Sequence, residues 1–275
     1  MSAFRGAHVL ITGAAGGIGR LLAGGAAARG ARVTLLDLDG DALRATRAGI
    51  PVCDSAAFTV DLRERAALQA TLARILETRG PVDILINNAG VVTGKPLLEC
   101  SDAAIERTFQ VNTLALFWTV RALLPAMIAR GRGHVVTIAS AAGLGGTCRL
   151  TDYCASKFAA VGFDEALRLE LRRLGHPVRT TVVCPWYIDT GMFAGVRTRF
   201  PRLLPILKPD YAAGRILRAI ETDRRRLVMP RFVLAVLLIR ILPPGLFDAV
   251  MWLFGVDRTM DAFAGRAGTV AKDGL

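Results

Sequence analysis

The sequence predicts an α/β fold, a doubly wound parallel sheet of about seven strands with helices on both faces. Short apolar runs recur along the chain and alternate with segments of helical composition, which is the pattern of βαβ units. A glycine-rich turn follows the first apolar run, and polar or turn-forming residues end the later ones. The 275 residues suit one such domain over residues 1–230, followed by a hydrophobic helical extension over residues 231–275.

The first predicted strand, residues 8–12, leads into a glycine-rich turn that opens an alanine-rich helix over residues 20–29. Gly13, Gly17 and Gly19 allow a tight turn, a close approach of backbone amides to a pyrophosphate, and close packing of the helix on the sheet. The helix N-terminus also attracts negative charge. The spacing G-x3-G-x-G differs from the commonest dinucleotide fingerprint, but its place between a strand and a helix favours dinucleotide binding over a turn without a ligand.

The second predicted strand, residues 32–37, ends in Asp37. A carboxylate at this place can accept hydrogen bonds from the adenosine ribose and repels a 2′-phosphate, so the sequence predicts NAD rather than NADP. The alternative is that Asp37 caps the next helix, a role that Asp39 and Asp41 could also take. The third predicted strand, residues 57–62, places Asp61 at its end as a contact for the adenine.

The fourth predicted strand, residues 82–87, is followed by Asn88, Ala89 and Gly90, whose small and amide side chains can shape a turn beside a cofactor. The long helix predicted to follow contains Asn112 among apolar neighbours. A polar amide in an apolar stripe must find a hydrogen-bond partner. Asn112 is therefore a candidate functional residue.

The fifth predicted strand, residues 134–140, ends in Ser140, and the helix that follows carries Tyr153 and Lys157. Residues four apart on a helix share a face. A phenol has an ordinary pKa of about 10, and a fixed ammonium beside it is expected to lower that pKa towards neutrality. The Ser140 hydroxyl is expected to meet the tyrosine over the strand end, whereas the alternative is an ordinary solvated helix face. The sixth predicted strand, residues 178–184, stops at Pro185.

One edge of the predicted sheet collects these polar and turn residues, because ligands bind outside the carboxyl ends of parallel strands. The residues that fall at such ends are Gly13, Asp37, Asp61, Asn87, Ser140 and Pro185. The sequence therefore predicts one active site at this edge.

With these residues assembled, the chain resembles the short-chain dehydrogenase/reductase family over residues 5–230, which implies a Rossmann-type fold. The matching motifs are Thr12-Gly13-x3-Gly17-x-Gly19, Asn87-Asn88-Ala89-Gly90, Asn112, Ser140, Tyr153-x3-Lys157, and Pro185 followed by Asp189-Thr190-Gly191. The resemblance implies that Tyr153 transfers the proton, that Lys157 lowers its pKa and holds the nicotinamide ribose, and that Ser140 binds the substrate oxygen. It further implies that Asn112 anchors a water in the proton relay. The cofactor-binding residues implied are Gly13, Gly17, Ile18, Gly19, Asp37, Asp61, Leu62, Asn88, Ala89, Gly90, Tyr153, Lys157, Pro185, Ile188 and Thr190.

A closer resemblance, carried by residues 190–193, 228–230 and 260–266, is to retinol dehydrogenases and membrane-associated hydroxysteroid dehydrogenases. It implies a lipophilic alcohol, ketone or aldehyde as substrate, and a homodimer or homotetramer. One departure is Trp186, where many family members carry glycine. The alternatives are a 3-oxoacyl thioester reductase that uses NADPH, and a lipid-surface binding protein that no longer turns over.

The C-terminal part contains two apolar runs, residues 232–239 and 246–254, and each is shorter than the roughly 18 to 20 residues that span a bilayer. With 52% hydrophobic residues and a net charge of +12, these runs favour a peripheral membrane contact through residues 232–256. The alternatives are a dimer interface and a wall of the substrate pocket. The preceding segment, residues 186–209, is expected to be a substrate lid.

Composition argues against other functional classes, namely metal-dependent, disulfide-rich and nucleic-acid-binding proteins. Five scattered cysteines and three histidines suggest neither disulfides nor a metal site, which indicates a reducing compartment. The scattered arginines form no recognition motif for nucleic acid. The first strand follows the N-terminus at once, so a cytoplasmic catalytic body is expected, with peripheral contact to a membrane face.

Overall fold

The protein is described by a computed structural model over residues 3–50 and 54–265, in which a seven-stranded parallel sheet runs in the order β3-β2-β1-β4-β5-β6-β7. The strands are β1 (His8–Thr12), β2 (Arg32–Asp37), β3 (Ser55–Thr59), β4 (Ile84–Asn87), β5 (Gly133–Ile138), β6 (Val178–Pro185) and β7 (Arg226–Met229). The order reverses beside β1, which opens a crevice at the carboxyl ends of β1 and β4. The predicted doubly wound fold is confirmed.

Helices cover both faces of the sheet. They are α1 (Gly17–Ala28), α2 (Gly40–Ala48), α3 (Arg65–Arg79), α4 (Asp102–Phe109), α5 (Ala115–Ala129), α6 (Thr151–Arg173), α7 (Pro209–Glu221), α8 (Ala235–Ile239) and α9 (Pro244–Leu253). Successive strand residues point to opposite faces, so Val9 and Ile11 join the core beneath α1 and α7, and Leu10 joins the core beneath α3 and α5. Burial on both faces explains why the central strands β1 and β4 are continuous apolar runs.

Two strand ends next to predicted site residues differ from the predicted ones. β3 ends at Thr59, so Asp61 lies in the loop after the strand. β5 ends at Ile138, and Ser140 caps a short 3₁₀ turn by accepting a hydrogen bond from the backbone of Ala142 at 3.1 Å. Tertiary contacts determine where such strands end, and a local apolar pattern carries no information about those contacts.

The long helix predicted around Asn112 is interrupted. A wider π turn over Gln110–Leu114 separates α4 from α5, and such turns are frequent at functional sites. The whole stretch Asp102–Ala129 is long and apolar enough to cross a membrane by length and composition alone, and 44% of its most apolar window is buried. Because α5 packs on β4 and β5, the stretch has the position of a core helix.

The predicted pair of short C-terminal helices is present as α8 and α9, and a 3₁₀ turn over Arg231–Leu234 precedes α8. The extension is attached to the main body, since Arg240 donates a hydrogen bond to the Leu144 carbonyl at 3.1 Å and Val233 is buried in the core. Several outward side chains of the extension are exposed, including Leu238 at 72% and Ile241 at 81%.

Candidate active site

The glycine-rich turn between β1 and α1 has no room for a side chain at Gly13 or Gly19. Gly13 and Gly17 have φ values of +66° and +55°, which glycine adopts without strain. A Cβ at Gly13 would lie 2.7 Å from the Ala89 Cα, and one at Gly19 would lie 2.0 Å from the Gly13 carbonyl oxygen. Within the described residues no side chain caps α1 at Gly16, so the amides of its first turn keep no side-chain acceptor. This cradle fits a pyrophosphate.

The turn after β4 holds this cradle in place. The Asn88 side-chain amide donates hydrogen bonds to the carbonyls of Thr12, at 3.1 Å, and Gly13, at 2.9 Å. In return, the Thr12 hydroxyl oxygen accepts hydrogen bonds from the backbone N–H groups of Asn88 and Ala89 at 3.0 and 3.1 Å. Asn88 therefore fixes the position of the glycine turn through these hydrogen bonds.

Asp37 lies at the end of β2 and faces the same cradle. Its carboxylate accepts hydrogen bonds from the backbone of Ala15 at 2.8 Å and of Asp39 at 3.2 Å. The side chain that caps α2 is Asp39, which accepts from the Ala42 backbone at 3.0 Å. The capping role considered for Asp37 is thus taken by its neighbour, and Asp37 is left at the cavity wall.

Asp61 also reaches the cavity, although it lies beyond its strand. The Arg63 guanidinium binds both oxygens of this carboxylate, with the shortest contact at 2.6 Å. This hydrogen bonding lowers the pKa of Asp61, so the group is a fixed anion at neutral pH.

Tyr153 and Lys157 lie in α6 on a shared buried face, 5% and 4% exposed. The Lys157 ammonium lies 5.6 Å from the centre of the Tyr153 ring and donates a hydrogen bond to the Ile138 carbonyl at 2.9 Å. Ser140 and Tyr153 line the same cavity. The solvated helix face considered as an alternative is therefore wrong, because the pair is buried at the end of β5.

The pKa of Tyr153 differs from the sequence-based expectation. Burial raises it above the ordinary value, and the influence of the nearby Ser140 side chain, which lowers the pKa, offsets only part of that effect. Burial also lowers the pKa of Lys157 to about 8. Both shifts follow from the same cause, since a dry environment disfavours whichever form of a group is charged. The four-residue spacing on the helix correctly identified Lys157 as the neighbour of Tyr153, but it did not indicate how deeply the two side chains are buried.

Asn112 lies in the π turn, and its side chain bonds to residues outside that turn rather than lining the cavity. Its side-chain oxygen accepts from the Val91 backbone at 2.8 Å, and its nitrogen donates to the Val91 carbonyl at 2.9 Å and to the Ser156 hydroxyl at 3.0 Å. Ser156 in turn donates to the Tyr153 carbonyl at 2.7 Å. Asn112 thus connects the chain after Gly90 to α6, behind the cavity wall.

One cavity of about 1020 Å³ runs along this edge of the sheet. It brings together nearly all the residues predicted for the site, which are Gly13, Gly17, Ile18, Asp37, Asp61, Leu62, Asn88, Ala89, Gly90, Ser140, Tyr153, Lys157, Pro185, Ile188 and Thr190. Two predicted residues do not line it: Gly19 packs beneath the turn, and Asn112 lies behind the wall.

The far end of the cavity is apolar, and the list of predicted site residues did not include it. Its walls come from the substrate loop, residues 186–208, and from α8 and α9 with their flanking turns. The residues concerned are Trp186, Met192, Phe193, Leu204, Phe232, Val236, Ile239, Val250, Met251 and Phe254. The apolar runs signalled these helices, but a run alone does not distinguish a pocket wall from a membrane face.

Potential metal ligands do not cluster anywhere in the described ranges 3–50 and 54–265. The four cysteines in those ranges are free thiols, and Cys53 lies outside them. The residues at the sheet edge instead suit a dinucleotide, because a side-chain-free cradle meets a helix N-terminus while Asp37 stands at the next strand end.

A glycine cradle that suits a dinucleotide and opens onto a buried tyrosine and lysine and a half-buried serine is the arrangement typical of dehydrogenases and reductases. The profile of the family described as short chain dehydrogenase matches residues 7–200. The chain belongs to this family, and it is an oxidoreductase that acts on CH–OH donors.

Similar proteins of known sequence or structure belong to the same family. Short-chain dehydrogenase/reductase family 16C member 6 of Bos taurus is 43% identical over 95% of this chain and 84% of its own length. Epidermal retinol dehydrogenase 2 of Mus musculus is 42% identical over 95% of this chain and 86% of its own length. A short-chain dehydrogenase/reductase from Burkholderia phymatum, solved in complex with NAD, superimposes with a TM-score of 0.78 at 30% identity, covering 88% of this chain and 95% of its own.

Proposed function

We propose that the protein transfers hydride between NAD and the CH–OH or C=O group of a lipophilic substrate, a retinoid, a steroid or a long-chain alcohol or ketone. The observation that carries the proposal is the single cavity in which the glycine cradle and Tyr153 meet an apolar wall from α8 and α9. Apolar pockets with few, well-placed polar groups take apolar ligands. Several relatives are named retinol dehydrogenases, which supports the substrate class.

A bound nicotinamide dinucleotide supplies the group that accepts or donates hydride. Tyr153 carries the proton: its raised pKa makes it a proton donor when a carbonyl is reduced. In the direction of alcohol oxidation the phenol must lose that proton, which the nearby Lys157 ammonium favours. The Ser140 hydroxyl, which lines the cavity together with Tyr153, is assigned the role of donating to the substrate oxygen as charge develops there. We assign to Asn112 the anchoring of a water molecule in the proton relay.

The preference for NAD rests on Asp37. Its half-buried carboxylate is oriented by the Ala15 backbone at 2.8 Å, and it would repel a 2′-phosphate at the cavity wall. Arg63 also lines this end, but its guanidinium is already paired with Asp61. A cation committed to a neighbouring carboxylate offers little to a phosphate.

We further assign the outer face of α8 and α9 to peripheral contact with an anionic membrane, on the cytoplasmic side. Leu238, Ile241 and Trp252 are exposed in this segment, as are the cationic residues Arg231 and Arg240. This combination of apolar, aromatic and cationic side chains suits helices that lie in an interface. The same helices face the cavity with their other side, so a lipophilic substrate would reach the pocket from the lipid.

Exposed apolar side chains also occur on the helices of the catalytic core. Phe117 of α5 is 44% exposed and Leu169 of α6 is 55% exposed. We assign this surface to a homodimer or homotetramer interface, because isolated large apolar side chains gain from burial between copies.

Turnover tests the function. Purified protein is offered retinol, steroids, long-chain alcohols and 3-oxoacyl thioesters, with NADH or NADPH followed by absorbance. We expect activity on an apolar alcohol with NAD, and we expect Tyr153→Phe to abolish that activity while NAD binding persists. Preference for a 3-oxoacyl thioester with NADPH would support the reductase alternative. Cofactor binding without turnover on any substrate would indicate a lipid-surface binding protein.

Sedimentation with vesicles tests the membrane contact. The double change Leu238→Glu and Ile241→Glu should release the protein from phosphatidylserine vesicles and leave turnover of a water-soluble alcohol intact. Leu98→Glu is the matched control, because Leu98 is 99% exposed far along the chain from α8. Equal release by both variants would contradict the assignment.

A further inference from the structure

The chain after α9 crosses the substrate side of the active site. We call residues 259–264 the C-terminal strap. The Tyr187 hydroxyl lies 2.8 Å from the Thr259 hydroxyl, and the Arg197 backbone N–H donates to the Thr259 carbonyl at 3.2 Å. Near the other end, the Ala264 backbone N–H donates to the Ala194 carbonyl at 2.9 Å. The strap is therefore bound along the substrate loop.

Two glycines make room for the strap. Gly94, just after the Asn88-Ala89-Gly90 turn, has a φ of +74°, and a Cβ there would lie 2.0 Å from the Phe263 ring. Gly195 in the substrate loop has a φ of +88°, and a Cβ there would lie 1.9 Å from the Ala262 carbonyl oxygen. The Phe263 ring thus occupies the place that a side chain at residue 94 would take.

A row of aromatic rings connects the strap to the catalytic tyrosine. The Phe263 ring centre lies 6.4 Å from that of Phe193, and Phe193 meets Tyr153 edge to face at 5.7 Å. Phe193 also contacts Tyr187 at 5.1 Å. Such arrangements are favourable and directional, so the position of one ring restrains the next. Met260 of the strap is fully buried in the same cluster as Tyr153.

Phe263 itself does not belong to the cavity wall in the part of the chain that the structure describes, whereas Phe193 does. We propose that Phe263 is a positioning residue, which wedges between Gly94 and Phe193 and so holds Phe193 against Tyr153 at the substrate end of the cavity. This inference rests on the proposed function, because its main readout is the rate of the proposed reaction.

Kinetics of Phe263→Ala test the proposal. A displaced active-site group can cost up to about 100-fold in rate, so we expect kcat/KM for the apolar alcohol to fall by about 10- to 100-fold. The Kd for NADH should stay within about twofold, because the cradle is independent of the strap. Phe263→Leu, which keeps an apolar group over Gly94, should recover most of the loss. Phe58→Ala is the matched control, since Phe58 is a partly buried aromatic residue in the core on β3.

A double-mutant cycle separates positioning from general loss of stability. If Phe263 acts through Phe193, adding Phe263→Ala to a Phe193→Ala variant should lower kcat/KM little further. Fully multiplicative losses, or an equal loss in Phe58→Ala, would overturn the proposal. So would a parallel loss of NADH binding in Phe263→Ala.

Failure of the proposed function is recognised separately, because the wild-type protein would then turn over no substrate. Limited digestion with trypsin still tests the strap in that case. The substrate loop carries the exposed Arg197, Arg199 and Arg202. Phe263→Ala should speed cleavage at these sites relative to Phe58→Ala, and unchanged cleavage would refute the strap.

Discussion

His134, at the start of β5, makes the fold sensitive to acid. Its side chain is 1% exposed, and its Nε2 lies 2.8 Å from the Thr181 hydroxyl, which donates its own hydrogen to the Arg224 carbonyl at 2.7 Å. The Thr181 oxygen therefore accepts from the Nε2–H of a neutral imidazole. Burial lowers the pKa of His134 from 6.5 to about 4.

The sign of the effect follows from which state binds the proton more tightly. The unfolded chain takes up a proton at His134 near pH 6.5, and the folded protein resists it down to about pH 4. The free energy of unfolding therefore keeps its full value above pH 6.5 and falls as the pH drops towards 4. Because each pKa unit corresponds to about 1.4 kcal/mol, the loss from this one group is about 3 kcal/mol.

His134→Gln tests this reasoning, since the glutamine amide can donate to Thr181 but does not titrate. Urea unfolding is measured from pH 7 to pH 4 for the wild-type protein, for His134→Gln and for the control His176→Gln, which changes a partly exposed histidine. We expect His134→Gln to cost stability at pH 7 and to lose about 3 kcal/mol less than the wild type on acidification. Parallel losses in all three proteins would refute the reasoning.

Three further predictions concern the cofactor and the proton. Gly19→Ala should raise the Kd for NADH by at least about tenfold in a fluorescence titration, because the added Cβ would collide with the Gly13 carbonyl in the phosphate cradle. Gly24→Ala is the control and should leave the Kd unchanged, because a Cβ there would meet nothing within 4 Å. Asp37→Asn keeps an acceptor but removes the charge, so the NADPH to NADH ratio of kcat/KM should rise by about tenfold, and an unchanged ratio would contradict the role of the carboxylate. In the direction of reduction, kcat/KM should fall as the pH rises through about 8, where the Lys157 ammonium loses its proton, and Lys157→Met should lack that limb of the pH profile.

Local sequence patterns were sufficient for the fold and for the polar half of the site. Strands buried on both faces are continuous apolar runs, so the ends of β1, β2 and β4 could be located and the shared edge of the sheet deduced. The spacing of Tyr153 and Lys157 gave their common helix face, and Asp37 falls where the end of β2 puts it. These features depend on neighbours a few residues apart.

Long-range packing set what the sequence did not predict. Tyr153 is buried partly by Phe193 and by the strap, which are distant in sequence, so the direction of its pKa shift could not be deduced from Lys157 alone. The π turn at Asn112 forms because its amide reaches the backbone of Val91, a contact that no periodicity reveals. The division at residue 230 remains a prediction, and the motif residue Arg266 lies outside the described residues.

The two-sided character of α9 has a practical consequence for engineering. Met251 lines the cavity, whereas Leu246 and Leu253 are 56% and 51% exposed on the same short helix. Residues that shape the cavity and residues that face outward therefore lie on the same short helix and can be varied separately. Substitutions restricted to the inward positions would reshape the cavity, and charged residues at the outward positions would make the exposed surface of α9 less apolar.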